Sequence, residues 1–129
     1  MIKSLGQIML YVRDLDANAK FWKDQVGFEK IEKSPTPDGD YIYVLSPLND
    51  SEVQLVLQDK NKMERMNGEI NLGTPSIMME TDDLDDTHKK LLENGVNANP
   101  IVEIQGMRFF NFSDNENNYF AIKEVKKEY

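Results

Sequence analysis

The chain is expected to fold as an α+β protein: two βαβββ modules forming a curved mixed sheet, with a concave cup on one face and helices on the outer face. Three observations lead there. The stretch IMLYVRDLDANAK, Ile8 to Lys20, returns as IMMETDDLDDTHK, Ile77 to Lys89, at an offset of 77 − 8 = 69 residues in a chain of 129. Each copy opens with an apolar, β-compatible run that leads into an acidic helix start. Each is followed by three further strand-like runs separated by turn residues. An internal repeat sets the architecture, and the architecture says where a site can lie.

In the first copy, Gln7 to Arg13 is the opening strand and Asp14 can cap the helix that follows. Leu15, Ala19, Trp22 and Val26 then fall at spacings of four, three and four, the apolar stripe of a helix lying on a sheet. Lys20 and Lys23 suit the carboxyl end of its dipole, and Gly27 is a natural terminator. Strands are expected over Phe28 to Lys33, Tyr41 to Ser46 and Val53 to Gln58, with SPTPDGD and SPLND turning between them. This repeat covers about residues 1–58.

A charged linker of about residues 59–72 follows, in which Met63 and Met66 are spaced for one face of a short helix. It is either a lid over the cup or a connector. Repeat two, about residues 73–129, begins with a strand over Thr74 to Thr81. Asp82, Asp83, Asp85 and Asp86 crowd the next helix start, where free backbone N–H groups favour carboxylates. Leu84, Leu91 and Leu92 are expected to face inward, and Gly95 to end the helix. Strands over Val96 to Glu103, Met107 to Phe112 and Tyr119 to Glu124 complete the second βαβββ unit. Neither half buries its sheet well alone, so both are expected to form one domain.

Composition narrows the function. A net charge of −8 argues against a nucleic-acid binder, which needs a basic face for phosphates; it serves solubility in the first place, and attraction of cationic ligands is the other reading. No apolar run approaches the roughly 18 residues that span a membrane. The start MIKSLGQIML lacks the apolar segment of a secretory signal, so a cytoplasmic location is expected. With no cysteine there are no disulfides, thiolate metal sites or cysteine nucleophiles.

Two segments, LYVRDLDANAKFWKDQVGF (Leu10 to Phe28) and FFNFSDNENNYFAI (Phe109 to Ile122), resemble the vicinal oxygen chelate superfamily. That group includes glyoxalases, bleomycin-resistance proteins, fosfomycin-modifying enzymes and extradiol dioxygenases. The first segment resembles the family's opening strand and its "V-x-D-L" helix start. The second resembles its closing "F-x-D-P-x-G-N-x-x-E" hairpin, with Asn115 for the proline and Asn117 for the glycine. The resemblance implies four metal-ligand positions in the cup, and these fall on Gln7, Gln54, Ser76 and Ala121. None is anionic or an imidazole, so no metal is expected there. A slip of the alignment would instead bring Glu52, Thr74, Glu80 or Lys123 to the lining. His88, the only histidine, takes the place of Ala19 and is expected on the helix side, away from the cup.

Period-two alternation puts Gln7, Met9 and Tyr11 on one face, with Gln54, Val56 and Gln58, with Ser76, Met78 and Glu80, and with Tyr119, Ala121 and Lys123. The expected pocket lining is Gln7, Met9, Tyr11, Gln54, Val56, Ser76, Met78, Phe110, Tyr119 and Ala121, although the direction of Arg108, Phe110 and Phe112 is open. DDLDD lacks the spacing and glycine of a calcium loop and reads as a helix start, while DNENN has ligand-type side chains but sits where a hairpin turn is expected. The chain is therefore read as a metal-independent protein of the glyoxalase and bleomycin-resistance type that sequesters an aromatic or cationic small molecule. A homodimer is implied by the resemblance, and no cofactor is expected. The alternatives are a metal-dependent lyase or isomerase, or a dioxygenase-like member, and a metal-free enzyme with a carboxylate such as Glu80 as general base.

Overall fold

The computed structural model describes residues 1–66 and 69–125, so residues 67–68 of the expected linker and 126–129 of repeat two lie outside it. The chain divides into two compact units, Met1–Thr74 and Pro75–Tyr129. Each holds a mixed sheet of a βαβββ-like module, giving the α+β class. Among the described residues no helix is long and apolar enough to cross a membrane.

In the first unit, β1 (Gln7–Val12) leads to α1 (Leu15–Lys20), a π-helical segment (Phe21–Val26), β2 (Lys30–Pro35), β3 (Tyr41–Ser46), β4 (Gln54–Asp59) and α2 (Lys60–Met66). The sheet order is β1-β4-β3-β2, with β1 and β4 parallel and the other pairs antiparallel. Asp14 caps α1 by accepting from the Ala17 N–H at 3.1 Å. Leu10, Val12, Leu45, Leu55 and Leu57 are buried, as are Ala19, Phe21 and Trp22. Trp22 is central: its ring meets Phe21 at 5.3 Å and Phe28 at 4.9 Å, and its Nε1–H donates to Asn18 at 3.1 Å. Burying a ring of roughly 200 Å² contributes on the order of 5 kcal/mol by area, provided the indole N–H keeps an acceptor. That requirement explains why Asn18, a polar residue outside the expected stripe, is fully buried.

The second unit repeats the design. β5 (Met78–Thr81) is followed by α3 (Leu84–Glu93), β6 (Asn97–Ala98), β7 (Val102–Ile104), β8 (Met107–Ser113) and β9 (Tyr119–Glu124). β5 and β9 are parallel, β8 lies antiparallel to β9, and β6 and β7 both pair with β8. Asp83 caps α3 through the Asp86 N–H at 3.0 Å, the counterpart of Asp14 at the same offset, 83 − 14 = 69. The core is Leu84, Leu91, Val96, Phe110, Phe112, Phe120 and Ile122.

The two helices do not end alike. Asp14 to Gly27 spans 27 − 14 = 13 positions, whereas Asp83 to Gly95 spans 95 − 83 = 12. The extra residue in the first copy is taken up by the π-helical turn, in which Gly27 and Phe28 both donate to the Trp22 carbonyl, at 3.0 and 2.9 Å. A single inserted residue is the ordinary origin of such a turn.

Several expectations are corrected. Leu92 is half-exposed at 49%, because the helix turns it past the sheet. The strand expected over Val96 to Glu103 is broken into β6 and β7 around Pro100, which has no N–H to give a ladder. The strand expected from Thr74 begins only at Met78, so Ser76 sits in its lead-in. Phe110, expected in the pocket, is 1% exposed and meets His88 of α3 edge-on at 4.7 Å, which puts it on the helix side. Phe112 is buried too, and Arg108 reaches Asp85 at 2.8 Å and Glu124 at 3.1 Å. That face of β8 therefore serves the core.

Candidate functional site

The register of the first unit turns its open sheet face, the one away from α1, into three rows. Gln7 lies beside Gln54, and Ser46 beside Lys30. Met9 lies beside Val56, which lies beside Val44 and then Glu32. Tyr11 lies beside Gln58, and Ile42 beside Ser34. The phase is set by Tyr41 and Tyr43, which point the other way and donate their hydroxyls to Asp16 of α1 at 2.9 and 2.5 Å. Gln7, Met9, Tyr11, Gln54 and Val56 thus share a face. The face is an amide row, a thioether and valine row, and a row mixing aromatic, amide and aliphatic groups.

Within it, the Gln7 Nε2 donates to Gln54 Oε1 at 3.4 Å, and Gln58 Nε2 lies 3.5 Å from the Met9 sulfur. Met9 is 38% exposed, while Val56 is buried and forms the floor. Ser46 is fully buried and its hydroxyl has no hydrogen-bond partner among the described residues. Its sequence context, a serine closing an apolar run, held no sign of that.

In the second unit, a hollow of about 220 Å³ is lined by Ser76, Ile77, Asn111, Tyr119, Phe120 and Ala121. It brings together Ser76, Tyr119 and Ala121, and adds Asn111, which lies in register with Ala121. Met78 pairs with Ala121 on the other side and is exposed at the surface. Asn111 escaped the sequence reading because FFNF has aromatics in both phases, and alternation cannot then say which phase is inward. Glu80 is exposed, in register with Lys123, and outside this hollow.

The family's ligand positions can be tested as a donor set. Gln7 and Gln54 turn their amides to each other, Ala121 offers a methyl group, and Ser76 a neutral hydroxyl. Such a set does not fit a tightly held divalent metal. Among the described residues no three His, Asp or Glu side chains are grouped to hold one. His88 donates its Nε2–H to the Asn99 carbonyl at 2.9 Å and so acts as a helix-flank residue. DNENN is a turn: Asp114 accepts from the Glu116 and Asn118 N–H groups, both at 2.9 Å, and Asn117 takes the left-handed φ of 63°. Asparagine tolerates that conformation, so it can stand where the family has glycine.

The first unit also contains a cleft of about 360 Å³ at the end of its sheet. Met63 and Met66 of α2 form its roof, and Leu15, Tyr41 and Ile42 its wall. α2 buries no residue and is held by polar tethers. Arg13 grips Glu64 with two bonds of 2.8 and 3.0 Å and also Asn61. Lys62 pairs with Asp38 and, at 2.9 Å, with Asp40 in the β2–β3 turn, while Asp59 accepts from the Lys62 N–H at 3.2 Å. The Lys62 and Thr36 hydrogen bonds hold the Asp38 carboxyl down to about 2, and the Asp38 and Asp40 hydrogen bonds raise Lys62.

A model of the glyoxalase/bleomycin resistance protein/dioxygenase superfamily matches residues 4–122. The chain is 30% identical over 129 residues to YetH of Bacillus subtilis (strain 168), an uncharacterized protein, covering 96% of this chain and 100% of that one. Its fold is similar to that of TnmS3, an antibiotic binding protein from Streptomyces sp. CB03234, with a TM-score of 0.80 at 22% identity over 97% and 98% of the two chains. UcmS2 is similar with a TM-score of 0.77 at 19% identity over 97% and 100%. A superfamily member from Sphaerobacter thermophilus DSM 20745 has a TM-score of 0.77 at 24% identity over 96% and 98%.

Proposed function

The chain belongs to the glyoxalase/bleomycin resistance protein/dioxygenase superfamily, and from that premise we propose that it binds and sequesters a small organic molecule without a metal. The observation that carries the reading is the make-up of the first unit's open face. An amide pair, Gln7 and Gln54, borders an apolar row of Met9, Val56 and Val44. Thioether, ring and aliphatic groups with a few convergent polar atoms are the usual lining of a small-molecule site. A ligand ring of roughly 200 Å² laid on that row would gain about 5 kcal/mol by area. Micromolar binding needs about 8 kcal/mol net, so the amides must add hydrogen bonds of about 1 kcal/mol each and several contacts must act together. TnmS3, whose fold is similar, is an antibiotic binding protein, which supports a sequestering role.

A second copy of the chain is the proposed partner. Val102, Ile104 and Met107 are exposed on the β7–β8 hairpin, an apolar patch that a homodimer would cover. The enzyme reading with Glu80 as base has no geometric support, since that carboxylate is exposed opposite Lys123.

The test is metal content after purification without chelator, followed by thermal shift with nickel, zinc, manganese and iron, and with ethidium as a planar aromatic cation. Sub-stoichiometric metal is expected, with stabilisation by ethidium of ~2.7 kcal/mol at about 100-fold excess over Kd. Gln54→Ala should weaken ethidium binding and leave the melting temperature nearly unchanged. Near-stoichiometric metal with a stabilised fold would sink the reading.

A further inference from the structure

The cleft under α2 is a different place from the open sheet faces. Among the described residues it reaches the first unit's open face through Gln58 and Ile42, and its remaining walls come from α1, α2, the β2–β3 turn and the strand ends. Its origin is physical. A seven-residue helix with Met63 and Met66 on one side would ordinarily settle onto apolar surface. Here the Arg13–Glu64 and Lys62–Asp38 tethers at its flanks set its height, and a space of about 360 Å³ remains beneath the methionines. That volume lies within the roughly 300–1,000 Å³ of small-molecule sites.

The lining also says what would fit. Tyr41, Leu15 and the two flexible thioethers suit an aromatic or branched apolar body, since methionine adapts to irregular shapes. Among the described residues the lining carries Asp38, Asp40 and Asp59 against the ammonium of Lys62, a balance of 1 − 3 = −2. The chain as a whole carries −8, which adds to the attraction for a cation.

We propose that this cleft is a binding site for a small cationic amphiphile, its apolar body under Met63 and Met66 and its ammonium at the rim of Asp38, Asp40 and Asp59. The site does not depend on the sheet-face reading, and either can hold without the other. Lys62 already occupies one side of the carboxylate rim, so the ligand's charge is directed toward Asp59. Asp59→Asn removes that charge while the side-chain amide oxygen still accepts from the Lys62 N–H, so α2 keeps its start.

The experiment uses the full chain labelled with ¹³C at its methionine methyls, titrated with 4-phenylbutylamine and with 4-phenylbutanol as the uncharged analogue. Met63 and Met66 report the cleft, and Met9 and Met78 report the open faces. Saturable shifts at Met63 and Met66 are expected, with the amine binding about fivefold tighter than the alcohol, the scale of a partly screened ion pair. In Asp59→Asn the preference should fall by half or more, with the Met63 and Met66 resonances of the free protein little changed. Shifts at Met9 or Met78 alone would overturn the cleft site and leave the sheet-face reading standing. Equal affinity for amine and alcohol, or no shift at all, would overturn the cation site. So would Met63 and Met66 shifts that follow protein concentration without probe, since a second copy would then fill the cleft.

Discussion

Among the described residues nothing bonds to the buried Ser46 hydroxyl, and an unpaired hydroxyl in such a place costs more than the methyl group of alanine would. Ser46→Ala is therefore expected to raise stability by about 1 kcal/mol, read as a higher urea midpoint at unchanged slope. Asp16 presents the opposite case, a carboxylate held by two phenols. The Tyr43 and then the Tyr41 hydrogen bond lower its pKa, and the Asp16 hydrogen bond pushes the Tyr43 phenol up to about 12. Because the Tyr43 pKa is raised, its stabilising contribution is full below the unfolded value of about 10 and is lost as pH climbs toward the folded one. The Asp16 pKa is lowered, so its contribution is full above the unfolded carboxylate value and is lost as pH falls through the folded one. Asp16→Asn should return Tyr43 toward an ordinary phenol, seen as phenolate absorbance appearing at lower pH. Neither Ser46 nor Asn18 could be read as buried from the chain, because burial of a polar group depends on a partner or an accident of packing that local pattern does not encode.

At the scale of elements, the helix after β1 shows how far a repeat can be read. Its cap, its inward stripe of Ala19 and Trp22 and its terminating Gly27 all follow from spacing. The π-helical turn was not expected from the chain; the 13-against-12 count between cap and glycine acquires that meaning only with the structure. Gly27 has φ 87° and nothing within 4 Å of a Cβ, so Gly27→Ala tests backbone strain without a clash. It is expected to cost about 1–2 kcal/mol, measured as a shift of the denaturation midpoint. The strands were less uniform. β1 alternates and sets Gln7 and Met9 on one face, and register with β1 places Gln54 and Val56 there although Leu55, Val56 and Leu57 are all buried. By contrast, β8 carries aromatics in both phases and its inward set became clear only from His88, Asp85 and Glu124.

For the molecule as a whole, the duplicated chain and the net charge of −8 set the expectations. A homodimer should sediment at twice the monomer mass, and Ile104→Lys on the exposed β7–β8 patch should shift it toward monomer without loss of folding. A single mass equal to the monomer at micromolar concentration would refute that partner. The family resemblance held over residues 4–122, while the metal positions it carries fall on side chains that do not suit a metal.

The amino-acid sequence by itself determined the repeat, the capped helices, the inward positions of Ala19, Trp22, Leu84 and Leu91 and the class of fold. These rest on periodicity and capping within a few residues, which the covalent chain carries directly. Only the tertiary structure decided that Phe110 belongs to the core, that Asn111 joins Ser76, Tyr119 and Ala121, and that a cleft opens beneath α2. Each of those depends on which distant segments meet: Arg13 with Glu64, Lys62 with Asp38, His88 with Phe110. Such pairings are fixed by packing and long-range electrostatics, and residues tens of positions apart leave no local trace of them.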